Sequence, residues 1–411
     1  MAIICGTDLS AASAGALEVA RALAAQRGDS EVILVYVVDD EDSALAGRTK
    51  LEAHVASLAA VGGSGPAIRA ELVVGAADQT LVSFADTEGS DLIVIASSSK
   101  PGSLLRLGTT AERVIATTRV PVLVIRDPAP WLRFARSEQP LKLLVGVDDS
   151  VACELGIQWT HALRQKGPVE VVLGAIYYPD DAAHHYGLHA RALVDRDPEI
   201  EKLIARDLLR RFGETQNVVA RMARGLGRIG DHLVELANEE KVDAIVVGTA
   251  QKTGLDRLGS VSSVIVHDAR QSVICVPPTA QIPTIRVPTI SNILVATDLS
   301  PFANRAVPFA FAIGSEIHVA HVVDDDAEID EAELRKQLLA LAPVGKTLEP
   351  HVVRGDDSAH AIAQTAARLG VDAICIASHG RSGISRALVG SVADKVIRAT
   401  RKPVMVLRPG S

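Results

Sequence analysis

Ala377-Ser378-His379-Gly380 is followed by nine residues and then by Gly390-Ser391-Val392. Glycine lets a backbone approach a ligand closely and take positive φ. Gly390 and Ser391 precede a helical stretch, Val392-Ala393-Asp394-Lys395-Val396-Ile397, so bare N–H groups and a hydroxyl stand at a helix start. That is an anion site. Arg381 and Arg386 in the loop carry charge that suits phosphate, and His379 offers a further donor. Asp298 closes an upstream apolar run, Ile293-Leu294-Val295-Ala296-Thr297. A carboxylate there accepts from a ribose hydroxyl or an amino group. Phosphate at one end and a carboxylate at the other describe a nucleotide site. Two plainer readings compete. The loop is then an empty strand-to-helix connection, and Asp298 a turn or cap residue, a role that Ser300 fills as well.

These residues act together only if one edge of a fold gathers them. Strand C-termini of a parallel sheet form such an edge, and ligands bind where the strand order reverses. The pattern demands that sheet. Copy one predicts strands at 2–7, 31–38, 67–74, 91–97 and 121–126, with helices at 10–26, 43–60, 78–88 and 109–118 between them. Short apolar runs alternating with longer helical stretches indicate βαβ units with right-handed crossovers.

The pattern occurs three times. Ile3 to Ser10, Leu143 to Ser150 and Ile293 to Ser300 each run from apolar residues through a carboxylate (Asp8, Asp148, Asp298) to serine. A second echo begins at Asp91, Asp243 and Asp372, and each is followed by Gly108-Thr109, Gly259-Ser260 or Gly390-Ser391. A repeat of roughly 140–150 residues has the size of a whole domain. The boundaries expected are 1–127, 140–279 and 289–411.

Bulk composition agrees. Of 411 residues, 48% are hydrophobic and only 3% aromatic, so the cores are Val, Ile, Leu and Ala, as suits strands buried on both faces. A net charge of −8 disfavours nucleic acid as a partner. Four scattered cysteines without a pairing pattern fit a reducing compartment. No basic-then-apolar leader opens the chain, and no apolar run reaches membrane-spanning length. A cytoplasmic protein without membrane contact is expected.

The loop and the repeated starts resemble the universal stress protein family, whose nucleotide-binding members carry G-x2-G-x9-G-[S/T]. Copy three matches it with Ala377 where the first glycine is usual, and the resemblance extends over all three copies. It implies an α/β chain of three tandem doubly wound domains. Each is a five-stranded parallel sheet of order 3-2-1-4-5 with flanking helices, and domains pair through antiparallel contact of their last strands. It implies ATP, accompanied by Mg2+ or Mn2+. Adenine and ribose then meet Ala296, Thr297, Asp298 and Val322. Phosphates then meet Ser378, His379, Gly380, Gly390, Ser391 and Val392, and Ala377 and Arg381 of the same loop are counted with the site.

Copies one and two depart further. Ser99 and Gln251 replace the second glycine, and eight and seven residues precede Gly108 and Gly259. Both changes oppose triphosphate binding, so these copies are expected to be structural or pairing domains. The reading is an ATP-binding stress-response or signalling protein acting on an unidentified protein partner. It is not an enzyme beyond slow ATP hydrolysis, because no general base is identifiable. The alternatives are a nucleotide-hydrolysing or nucleotidyl-transfer enzyme and a nucleotide-free scaffold. Three copies leave one last strand unmatched, so a homodimer using the copy-three edge is expected.

Other features receive plainer readings. Gly225-Leu226-Gly227-Arg228-Ile229-Gly230 follows the third strand of copy two, where a turn belongs. His184, His185 and His189 sit in an insertion from about 177 to 198, read as a solvated loop. Asp324 to Glu333 reads as a helix-start charge run. The stretches 127–140 and 277–288, with three and four prolines, read as stiff connectors, Trp131 and Phe134 being docked on a domain surface.

Overall fold

The computed structural model describes residues 2–60, 65–97, 107–188, 196–213, 216–249, 259–282, 289–377 and 390–408. Two compact units divide the chain. The first comprises Met1–Tyr177 and Leu208–Arg286, the second Tyr178–Asp207 and Val287–Ser411.

The first third runs β1 (Ala2–Thr7), α1 (Ala11–Arg27), β2 (Glu31–Val38), α2 (Ala44–Ala60), β3 (Ala67–Val74), α3 (Ala77–Thr87), β4 (Ser90–Ala96), α4 (Thr109–Thr117) and β5 (Val122–Ile125). After α5 (Ala129–Ala135) come β6 (Leu141–Gly146), α6 (Val151–Arg164), β7 (Val169–Tyr177), α7 (Pro179–Tyr186) and α8 (Pro198–Phe212). The middle third ends with β8 (Val218–Arg224), α9 (Ile229–Glu239), β9 (Ala244–Gly248), α10 (Ser260–Asp268) and β10 (Ser272–Val276). The last third runs β11 (Asn292–Ala296), α11 (Ala306–Ile313), β12 (Glu316–Val323), α12 (Glu331–Leu339), β13 (Glu349–Arg354), α13 (Ser358–Leu369), β14 (Ala373–Ala377), α14 (Ser391–Ala399) and β15 (Val404–Leu407).

Each third builds the expected order 3-2-1-4-5, the last as β13-β12-β11-β14-β15. The first two thirds join edge to edge into one ten-stranded sheet, β3-β2-β1-β4-β5-β10-β9-β6-β7-β8. The seam is antiparallel, pairing Val124 with Val273, Leu123 with Ile274 and Val122 with Cys275. A single buried cluster crosses it on one face, from Ile4, Ile33 and Ile93 through Val124 to Val273, Ile245 and Leu144.

In the second unit, successive strand residues alternate between two cores. Leu294, Ala296, Ala320 and Ile376 face α13 and α14. Ile293, Val295, Ile317 and Val319 face α11 and α12. Period-two alternation with both faces apolar is what a doubly wound sheet requires. Several helices are capped as their sequences ask. Ser10, Ser150 and Asp357 accept first-turn amides, and Gly28 (φ 82°) and Gly370 (φ 69°) close C-termini in the left-handed region.

The connector 127–140 needs correcting. Pro128 and Pro130 start a helix, α5, rather than a stiff strap. Trp131 and Phe134 are fully buried in the first unit, not laid on a surface. Phe134 packs against Gly167, and Pro128 against Gly15. In the connector 277–288, Ala280 and Ile282 are buried, and 283–288 lie outside the described residues.

Candidate functional site

In the second unit β11 ends at Ala296, and the chain turns sharply. The Thr297 N–H donates to the Ala320 carbonyl at 3.0 Å. Its hydroxyl bonds Asn304 Oδ1 at 2.7 Å and receives the Leu299 N–H at 3.0 Å. Leu299 sits at φ 63°, a costly conformation for a side-chain-bearing residue. The turn leaves Asp298 exposed at the sheet edge. Asp298 Oδ1 accepts the Ser300 N–H at 2.9 Å, while Ser300 Oγ accepts the Ala303 N–H at 3.1 Å. So Ser300 takes the cap, and Asp298 keeps its carboxylate at the exposed rim of the turn. Copy one repeats the device with Leu9 at φ 63° and Asp8 receiving Ser10.

β11 lies between β12 and β14, with Ala296 opposite both Ala320 and Ile376. One crossover leaves β11 toward β12, and the later one returns to its other side at β14. The reversal of strand order therefore falls beside Asp298. Val322 is half-buried near the end of β12, and Ala377 closes β14 opposite Leu407. Gly390 (φ −59°, ψ 152°) is the N-cap of α14, with no side-chain cap bond. Ser391 and Val392 are exposed in its first turn, where helix N–H groups lack intrahelical partners. Ser378, His379, Gly380, Arg381 and Arg386 lie outside the described residues.

Three neighbours escaped the sequence reading. Asn304 and His321 brace the Asp298 turn, His321 Nδ1 donating to the Thr297 carbonyl at 2.9 Å. Asn304 lies seven residues on, in the same turn, whereas the His321 contact needs the fold to bring β12 alongside. Asp357, at the N-cap of α13, accepts the Ala359 and His360 amides at 3.0 and 3.3 Å. Those bonds, that of His360 foremost, hold its carboxyl below the usual range, and the charge of Lys395 adds to the effect. A carboxylate ahead of the apolar period of α13 was the available signal.

Copy two is arranged differently at the same edge. Arg211 of α8 donates to the Asp148 carbonyl at 2.7 Å and to Glu154 at 3.1 Å, so a guanidinium stands over the turn. Asp148 Oδ1 receives both the N–H and the hydroxyl of Ser150, at 2.9 and 2.6 Å. Gly248, where copy three has Ala377, is pressed against α6. A Cβ there would stand 2.7 Å from the backbone of Ala152 and Cys153. In copy one, the Gly108 N–H is spent on the Ser97 carbonyl at 2.9 Å.

The literal glycine motif at 225–230 is a turn and a packing contact. Gly227 takes φ 81°, and a Cβ on Gly230 would come within 2.6 Å of Val264. The insertion is partly helical rather than a solvated loop, because Pro179 starts α7 and Gly187 (φ 65°) ends it. His184 and His185 lie on α7, and His189 is outside the described residues. Gln364 of α13 donates to the His184 carbonyl at 2.9 Å. The acidic run starts α12 as expected, with Asp330 accepting the Ala332 and Glu333 amides. Among the described residues no helix is long and apolar enough to cross a membrane.

Comparison with known proteins gives three stretches, 1–126, 141–277 and 289–408, each matching the Universal stress protein family. A universal stress protein of Mycobacterium bovis is 31% identical over 202 residues, 43% of this chain. That match takes in 64% of the relative's own length. Among solved structures, a universal stress protein from Archaeoglobus fulgidus is 18% identical, with a TM-score of 0.49, over 67% of this chain and 98% of that one. A universal stress protein in complex with cAMP is 26% identical, with a TM-score of 0.25, over 30% of this chain and 96% of that one.

Proposed function

Since the chain belongs to the universal stress protein family, in three tandem copies, we propose that it is an adenine-nucleotide-binding signalling module with its ligand in the third copy. One observation carries the reading. Asp298 stands at the reversal of strand order, and the helix after the adjacent strand opens on Gly390-Ser391. Ribose hydroxyls suit the carboxylate, and a polyphosphate suits the open amides of α14. ATP with Mg2+ is the ligand proposed, held also by Thr297, Val322 and the 377–389 loop. We read the module as a binding device in the cytoplasm whose nucleotide state a partner protein senses, with hydrolysis slow at most. It pairs with a second copy through β15. Copies one and two serve the scaffold, Arg211 standing where a ligand of copy two would lie.

Calorimetric titration of ATP and Mg2+ into the full chain tests this. One site is expected. Asp298→Ala should weaken it about tenfold or more, the worth of a hydrogen bond to a charged group. Gly390→Val, at a φ that valine accepts, should weaken it at least as much by blocking backbone approach. Asp8→Ala and Asp148→Ala should leave it unchanged. Absence of binding at millimolar ATP would overturn the reading. Stoichiometric release of AMP and pyrophosphate would favour a nucleotidyl-transfer enzyme instead.

A further inference from the structure

Halfway down the same sheet, away from the nucleotide edge, three ligand atoms converge. Register sets His318 of β12 opposite Glu349 of β13, with His351 two residues on along the same face. His318 Nδ1 lies 3.0 Å from His351 Nε2 and 3.2 Å from Glu349 Oε2. One ligand atom from each residue fits within a 4.8 Å span. His318 is 4% exposed, and its other nitrogen, Nε2, is buried without a hydrogen bond, 3.8 Å from Glu316 Oε1.

We propose that His318, His351 and Glu349 form a binding site for one divalent transition-metal ion of the zinc class. Three lone pairs meet there, and a proton shared between the two rings satisfies only two of them. A divalent cation serves all three. A tetrahedral ion with bonds of about 2.0–2.1 Å holds its ligand atoms roughly 3.3 Å apart, within a few tenths of both short separations. Two imidazoles and one carboxylate suit zinc and leave a fourth position for water. Coordination through Nδ1 puts the His318 proton on Nε2, facing Glu316, the usual outer carboxylate of a metal-bound histidine. The two glutamates are largely solvent-exposed, so an ion has a way in. The ion ties the outermost strand, β13, to β12. His318 is four residues, about 13 Å of strand, from Val322, so the site does not depend on the nucleotide.

The test uses the full chain without an affinity tag, titrated with Co2+ and then Zn2+. One equivalent of Co2+ should give the strong visible absorption of a four-coordinate ion, and Zn2+ should displace it. His351→Ala and, in case that edge substitution unfolds β13, the exposed Glu349→Gln should each lower affinity by more than tenfold. Glu316→Gln should lower it about tenfold, as outer partners do. Zinc should raise the thermal midpoint of the native chain but not of His351→Ala. No stoichiometric binding, or unchanged affinity in both His351→Ala and Glu349→Gln, would overturn the proposal. So would loss on His360→Ala alone, since the ion would then belong to the His184–His360 ring pair.

Discussion

Single side chains in this protein are governed mostly by what surrounds them. Burial pushes the thiols of Cys5, Cys275 and Cys375 up to about 12, and that of Cys153 to about 11. At pH 7.5 a thiol of pKa 12 is ionised in about one molecule in thirty thousand, and only the thiolate attacks. A disulfide reagent at that pH should therefore titrate fewer than one thiol per native chain and four after denaturation. Fast reaction of the native chain would contradict the burial. Asp357 works in the other sense. Its carboxyl is depressed below the ordinary 3.8 by amide bonds, so its contribution to stability is complete above that value and fades as pH falls through the lower folded value. Asp357→Ala should lower the thermal midpoint at pH 7, and the gap from the native chain should narrow on acidification toward pH 3. Gly248 tests close approach. Gly248→Val forces a side chain into the α6 backbone and should cost about 1–3 kcal/mol, read from denaturant midpoints.

Among the elements, α5 and α7 show how much local pattern reveals. The strands of copy one at 2–7, 31–38 and 67–74 fall where the apolar runs put them; the central ones, 2–7 and 31–38, are largely buried, whereas the outermost, 67–74, keeps Arg69 and Glu71 and stays half-exposed. The α5 segment was misleading because proline was read as a breaker. At the first turn of a helix a proline loses no bond, and Trp131 and Phe134 at i, i+3 mark one face. Trp131→Ala should destabilise the first unit by about 3–5 kcal/mol, as befits a core aromatic and not a surface ornament. The α7–α8 insertion braces α13. Arg206 donates to the Ala367 carbonyl at 2.7 Å and to that of Arg368, putting a cation on the carbonyls of the last helical turn. Arg206→Ala should cost about 1–2 kcal/mol, with faster amide exchange in the last turn of α13. Contacts such as Arg206–Ala367, Arg211–Asp148 and His318–His351 join residues 33 or more positions apart. No local period encodes them. The Asp298 and Gly390 ends of the candidate site were legible because each is written within one strand-to-helix turn. Its bracing by His321, 24 positions along the chain, was not, and Asn304, though in the same turn, carries no spacing signal of its own.

At the scale of the whole chain, an odd number of copies decides what remains unpaired. Two of the three last strands, β5 and β10, satisfy each other. β15 lies at the end of its sheet, its four residues half-buried. An apolar edge of that kind invites a partner strand. Sedimentation of the full chain at micromolar concentration should give a dimer, and a monomer would count against pairing through β15.

The β5–β10 seam also imposes an order in time. β10 is made about 150 residues after β5. At roughly 5–20 residues per second, the ribosome leaves β5 waiting about 8–30 s for its mate. Throughout that interval the nascent first copy carries a bare, sticky flank, vulnerable to a neighbouring polysome or in need of a chaperone's shelter.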